Sequence, residues 1–108
     1  MKVKRGSVYW VDLDPTRGSE IKKERPYVVL GVDPINEARR TVVIIPLSKA
    51  AKPRPPLVVS VACGEEKAVA VIDQIRAVDK SRFTNKICDL TPNEMQAIEN
   101  GMRVVLGL

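Results

Sequence analysis

The sequence contains no histidine and only two cysteines in 108 residues. Without histidine the chain lacks the side chain that most readily moves a proton near neutral pH, and the commonest nitrogen ligand for transition metals. Cys63 and Cys88 are widely separated, so neither a metal site nor a metal cofactor is expected. A secreted domain stapled by disulfides usually carries more cysteine than this. Both thiols are therefore expected to be reduced and to act as small apolar residues. No apolar stretch approaches the ~18 residues of a membrane span, and MKVKRGSVYW enters a strand pattern without an apolar leader. These absences point to a cytoplasmic protein with no membrane association. Aromatic residues are also scarce, at 4%.

What remains is aliphatic and charged. The chain is 44% hydrophobic and 29% charged, with a net charge of +5, an ordinary globular balance rather than a disordered one. Its length suits one domain, residues 1–108, with one core. Moderately basic small domains often meet a polyanion, nucleic acid being the commonest, although the same charge also serves solubility.

Valine and isoleucine occur in runs, which favours strands. Ser7 to Leu13 reads as a first strand with Tyr9, Val11 and Leu13 on one face. A second strand covers Pro26 to Val32, and Asp33-Pro34-Ile35-Asn36 is turn chemistry. Thr41 to Leu47 is apolar on both faces and hence central, with Pro46 marking an edge or bulge. The loop SKAAKPRPP, residues 48–56, has three prolines and three basic residues. Leu57–Val61, Ala68–Ile72 and Ile75–Val78 follow as strands, with a turn at 64–67 and one helical turn at 79–83. Thr91-Pro92-Asn93-Glu94 matches a capping box, and Met95, Ile98, Met102 and Val105 recur at helical spacing beyond it. Short strands with frequent turns and one terminal helix predict a mainly β fold, a small barrel or strongly curled sheet with a C-terminal helix.

One stretch stands apart. In GSEIKKERPYVVL, six of the eight residues from Glu20 to Tyr27 are charged or proline, and a core strand follows without a pause. Together with Arg5–Leu13, Ile45-Pro46-Leu47-Ser48, the block Asp73-Gln74-Ile75-Arg76-Ala77-Val78-Asp79 and the Leu106-Gly107-Leu108 tail, this pattern resembles the MazF/PemK toxins over nearly the whole chain. The resemblance implies an SH3-like small β-barrel of the MazF/PemK/CcdB type and a homodimer. It also implies a sequence-specific, metal-independent endoribonuclease that cuts single-stranded RNA (an mRNA interferase) and is inhibited by a cognate antitoxin.

Carried onto this sequence, the resemblance makes Arg25 the catalytic arginine and puts Ser48 where the family usually has threonine. Glu20 falls on the acidic position of the GSE motif, and Asp73 and Gln74 on an acidic-Gln pair at the end of a core strand. Three positions depart from the pattern. Ile21-Lys22-Lys23-Glu24 replaces small loop residues, serine replaces threonine at 48, and Val71 stands where some members carry a second arginine.

The chemistry is coherent without histidine. RNA supplies its own 2′-hydroxyl nucleophile, so the protein must supply proton transfer and charge stabilisation, giving 2′,3′-cyclic phosphate and 5′-OH ends. Arg25 would clamp the phosphate, with Pro26 fixing the backbone beside it. Ser48 would orient the phosphate; its other reading is a residue capping a turn. Glu20, Glu24 and Asp73 are candidate proton acceptors, although Asp73 also suits a structural role. Arg17, Lys22, Lys23, Lys49, Lys52, Arg54, Gln74 and Arg76 are the candidate RNA contacts. Tyr9 and Trp10 are expected in the core or at a dimer interface. The competing readings are a gyrase-type, protein-targeting toxin of the same fold and a non-catalytic RNA-binding barrel.

Overall fold

The β-branched runs form strands that curl around two apolar layers. In the computed structural model, which describes residues 2–13 and 24–108, the elements are β1 (Ser7–Asp12), β2 (Glu24–Val29), α1 (Asp33–Ala38), β3 (Thr41–Ser48), β4 (Val58–Cys63), β5 (Glu66–Val71), β6 (Arg76–Asp79), β7 (Phe83–Asp89) and α2 (Pro92–Leu106). Short 3₁₀ turns cover Ile72–Gln74 and Lys80–Arg82. Among the described residues the strand order is β4-β5-β3-β2-β1-β7, with β6 also pairing β3, and the pairings are antiparallel. This is the expected mainly β architecture with a C-terminal helix. No helix among the described residues is long and apolar enough to cross a membrane.

Strand β3 is central, as its two apolar faces predicted. Ile44 and Ile45 are adjacent and both fully buried, which requires cover on both sides of the sheet. One face carries Val8, Val28, Ile45, Leu47, Val61 and Ile72, closed by Ile98 of α2. The other carries Tyr9, Val11, Tyr27, Val29, Ile44 and Phe83, with the Tyr9 and Phe83 rings edge to face at 5.4 Å.

Along one side, β3 changes partner. Thr41–Ile44 pair with β6, and Leu47 and Ser48 pair with β5. Pro46 occupies the gap between these ladders, where its missing N–H costs no ladder bond. The expected interruption is there, but Pro46 is not on an edge strand: on the other side it pairs with Tyr27 of β2.

Helix α2 begins as its sequence predicts. The Thr91 Oγ1 accepts from the Glu94 amide at 3.2 Å, and Glu94 accepts from the Thr91 amide at 2.9 Å. Gly107, in the left-handed conformation, ends it. Gly101 sits inside the apolar stripe because the helix lies directly on backbone there. A Cβ at this position would fall 2.4 Å from the Pro56 carbonyl oxygen and 2.2 Å from Ile72 Cδ1. Arg5 ties the helix to the sheet: its guanidinium donates to the Leu30 carbonyl and pairs with Glu99 at 3.1 Å.

Two expectations are corrected, and one strand is added. Asp33–Asn36 is not a simple turn but the start of the six-residue helix α1. Proline and aspartate suit a first helical turn as well as a β-turn, and here the buried Asn36 amide donates to the Gly31 carbonyl at 2.7 Å. Phe83–Asp89 is a strand, although FTNKICD offers little apolar alternation; pairing with β1 stabilises it. Of the two neighbouring aromatics, Tyr9 is buried in the core and Trp10 is 38% exposed on the single chain. Finally, Cys63 and Cys88 are not free thiols. Curling of the sheet brings their Cα atoms to 5.7 Å, and they form a disulfide.

Candidate functional site

The register of β1, β2 and β3 determines what stands near the charged loop. Val11 pairs with Arg25 and Tyr27 with Pro46. Directly opposed residues of antiparallel strands share a sheet face, and every second residue returns to it. The β2–β3 ladder ends at Tyr27–Pro46, and Arg25 and Ser48 each lie two residues beyond that end in their own strands. Arg25 is exposed and Ser48 half-buried. Sequence alone could not supply this placement, because 22 positions separate the two residues in the chain.

Ser48 is the last residue of β3. Its Oγ accepts from the amides of Ala50 and Ala51, each at 3.2 Å. The turn that begins the basic loop is thus built on this hydroxyl, whose own O–H remains a donor. The two sequence-based roles of Ser48, capping a turn and facing a ligand, are compatible in this geometry.

Asp73 and Gln74 reach the same neighbourhood through a surplus of chain. Between the Leu47–Ala70 and Ile44–Arg76 pairs, β3 spends only Ile45 and Pro46. The opposing chain spends residues 71–75 and throws the excess out as the 3₁₀ turn Ile72–Gln74. Ile72 points into the core, while Asp73 and Gln74 are exposed beside Pro46. Ser48 and the turn that carries Asp73 and Gln74 thus flank the point where β3 changes partner, and Arg25 lies two residues beyond the end of the neighbouring β2–β3 ladder. Glu24 is half-buried at the start of β2, and Arg76 is exposed at the start of β6. Glu20, Arg17, Lys22 and Lys23 lie outside the described residues.

From Ser48 a groove of about 500 Å³ runs across the outer face of β3, β5 and β4. Ser60, Lys67 and Val69 of the strands, Lys49, Ala51 and Pro53 of the basic loop and Glu94 of α2 line it. Lys49 pairs with Glu66, which leaves Lys67 as a further exposed cation in the wall. Ser60 and Lys67 were missed in the sequence because Lys67 reads as part of a turn and Ser60 as an interruption in a valine run. Lys52 and Arg54 are exposed in the loop beside the groove. Groups with displaced pKa values lie elsewhere and are structural. Asp79 is lowered chiefly by the Ser81 backbone amide, and Asp89 chiefly by the Ser7 hydroxyl and then by Lys86. Among the described residues, no group of three or more carboxylates and cysteines is placed to hold a metal ion.

This arrangement offers a cation and a hydroxyl beyond one end of the β2–β3 ladder, a carboxylate and an amide on the turn where β3 changes partner, and an open groove that begins at Ser48. The profile of the PemK-like, MazF-like toxins of type II toxin–antitoxin systems matches residues 4–106. Endoribonuclease MazF of Staphylococcus saprophyticus is 32% identical over 111 residues, covering 98% of this chain and 92% of the relative. Among solved structures, MazF from Deinococcus radiodurans superposes with a TM-score of 0.82 at 21% identity, covering 100% of this chain and 99% of that one. An endoribonuclease in complex with its cognate antitoxin, from a mycobacterial species, gives 0.82 at 23% identity, covering 97% and 95%.

Proposed function

Since the chain belongs to the PemK-like, MazF-like toxins of type II toxin–antitoxin systems, we propose that it is an endoribonuclease that cuts single-stranded RNA at specific sequences without a metal ion. The observation that supports this reading is that Arg25 and Ser48 each lie two residues beyond the Tyr27–Pro46 end of the β2–β3 ladder. A guanidinium forks across two phosphate oxygens and stabilises the charge that builds on phosphorus as the 2′-oxygen attacks. The Ser48 O–H donates to the phosphate while its oxygen is held by the Ala50 and Ala51 amides. The hydroxyl is therefore positioned before substrate arrives. Glu20, Glu24 and Asp73 are the carboxylates available to take the 2′-proton, and the products are a 2′,3′-cyclic phosphate and a 5′-OH end. Lys49, Lys52, Arg54, Gln74 and Arg76 line the approach of the RNA backbone, with Arg17, Lys22 and Lys23 contributing from the loop. The toxin acts as a cytoplasmic homodimer, and a cognate antitoxin inhibits it by covering the same face.

The test is incubation with a long single-stranded RNA in EDTA. Wild-type protein is expected to cut it, and Arg25→Ala to cut about 10²–10³-fold more slowly, the usual cost of removing one oxyanion donor. Binding of wild-type protein without cutting would instead indicate a non-catalytic RNA-binding barrel. Growth arrest on expression with neither binding nor cutting would indicate a protein-targeting toxin. Full activity in Arg25→Ala would remove the arginine from the mechanism.

A further inference from the structure

The strand order ends at β4 on one side and β7 on the other, and no ladder joins these two among the described residues. The curled sheet therefore has a seam. Three kinds of contact tie β4 to β7 or to the helix that follows it. The Cys63–Cys88 disulfide links the last residue of β4 to the penultimate residue of β7. The Ala62 amide donates to Glu94 at the start of α2. Val59 and Val61 pack with Leu90 and Ile98 beneath. Only the first contact is covalent. It is also half-buried rather than sealed, at a hairpin whose next residue, Gly64, is exposed and has open space where a Cβ would stand.

The seam is not remote from the proposed site. Ala62, adjacent to Cys63, lines the groove that begins at Ser48, and so does Glu94, its partner across the seam. Successive strand residues face opposite sides of the sheet. Cys63 consequently holds the inner face of β4 while Ala62 and Ser60 form the groove wall on the outer face. The disulfide thus fixes one wall of the groove from behind.

We propose that Cys63 and Cys88 form a redox-active pair whose reversible disulfide sets the rigidity of the groove wall and hence the affinity for RNA. The regulatory part rests on the reading of the groove as an RNA site. The co-reactant is a dithiol. Its thiolate attacks one cysteine sulfur to form a mixed disulfide and expels the other cysteine as a thiolate; its second thiol then closes on the first and releases the remaining cysteine. Two electrons and two protons pass to the protein, and the dithiol leaves as a cyclic disulfide. In a cytoplasmic setting a protein disulfide is typically of this transient, responsive kind. With the bond closed, the Ser60–Ala62 wall is preorganised. With it open, RNA binding must itself order β4 against α2, at the cost of one or two immobilised side chains, so affinity falls about three- to tenfold.

The experiment compares air-oxidised and dithiothreitol-reduced protein. Thiols are counted by alkylation, exchange of the Val58–Cys63 amides is followed by hydrogen–deuterium exchange, and affinity is measured for a 2′-O-methyl RNA, which lacks the nucleophile. The oxidised protein is expected to show no free thiol, slow exchange at Ala62 and the tighter binding. Reduction is expected to expose two thiols, speed that exchange and weaken binding. The Cys63→Ser/Cys88→Ser variant is expected to match the reduced protein and to ignore dithiothreitol. Freely alkylated cysteines in air-oxidised protein, or identical exchange and affinity in the two states, would overturn the proposal. Redox-dependent exchange without RNA binding in either state would overturn the RNA part alone, and with it the proposed function.

Discussion

Gly101→Ala sets two known effects against each other at a defined place. Alanine is the better helix former by about 1 kcal/mol, so an exposed glycine-to-alanine change within α2 would stabilise the protein. At position 101 the added methyl would lie about 1 Å inside the 3.4 Å at which ordinary contact with the Pro56 carbonyl begins, and closer still to Ile72 Cδ1. Ile72 is fully buried, and its amide is bound to the Leu57 carbonyl at 3.0 Å, next to Pro56. Neither obstacle is a free side-chain end. Overpacking of a rigid site costs about 1–3 kcal/mol, and this overlap belongs at or above the upper end. The expected net loss is about 2 kcal/mol, or roughly 10 °C in Tm for a chain of this size. Urea unfolding followed by circular dichroism measures it, with Val104→Ala as control: that residue is exposed on the same helix, so its change should be neutral or slightly stabilising. A Gly101→Ala protein at least as stable as wild type would refute the packing argument. Because Ile72 opens the 3₁₀ turn that carries Asp73 and Gln74, the variant is also expected to cleave RNA more slowly at temperatures where it remains folded.

Glu94→Ala should lose the side-chain half of the capping box, where Glu94 accepts from the Thr91 amide, and the tie to Ala62, while the backbone amide of residue 94 still donates to Thr91; stability should fall by about 1–2 kcal/mol in urea titrations, whereas Glu94→Gln should keep most of it. Asp89 has its pKa held down by the Ser7 hydroxyl and then by Lys86. It therefore contributes stability that is present above its ordinary value of 3.8 and lost as pH falls below it; Ser7→Ala should flatten that part of the acid-unfolding profile, read by circular dichroism against pH. Affinity for single-stranded RNA should fall steeply with added salt, and a Lys49→Ala/Lys52→Ala/Arg54→Ala protein should show a shallower slope of log affinity against log salt in fluorescence anisotropy.

Local chemistry was legible in the sequence, and long-range closure was not. The α2 cap could be read because its donors and acceptors lie within four residues, Thr91 to Glu94. The central place of β3 followed from a run that is apolar on both faces. By contrast, β7 could not be seen in FTNKICD, because its strand character comes from β1 rather than from its own alternation. The cysteine pair was missed for the same reason: it depends on how far the sheet curls, which residue spacing does not encode. Arg25 and Ser48 were singled out through resemblance; in the fold each lies two residues beyond the Tyr27–Pro46 end of the β2–β3 ladder. The rest of the charged loop lies outside the described residues.

The inner core has a consequence for when this protein can exist in folded form. Val8, Val28 and Ile45, contributed by the first half of the chain, are covered by Ile98 near its end, while β1 needs β7 on its free side and the Leu90 amide bonds back to the Gly6 carbonyl. No N-terminal fragment emerging from a ribosome can bury that surface. Pairing across such sequence distances also makes folding comparatively slow. The nascent chain therefore stays without its groove, and without the activity proposed for it, until the last helix has been made.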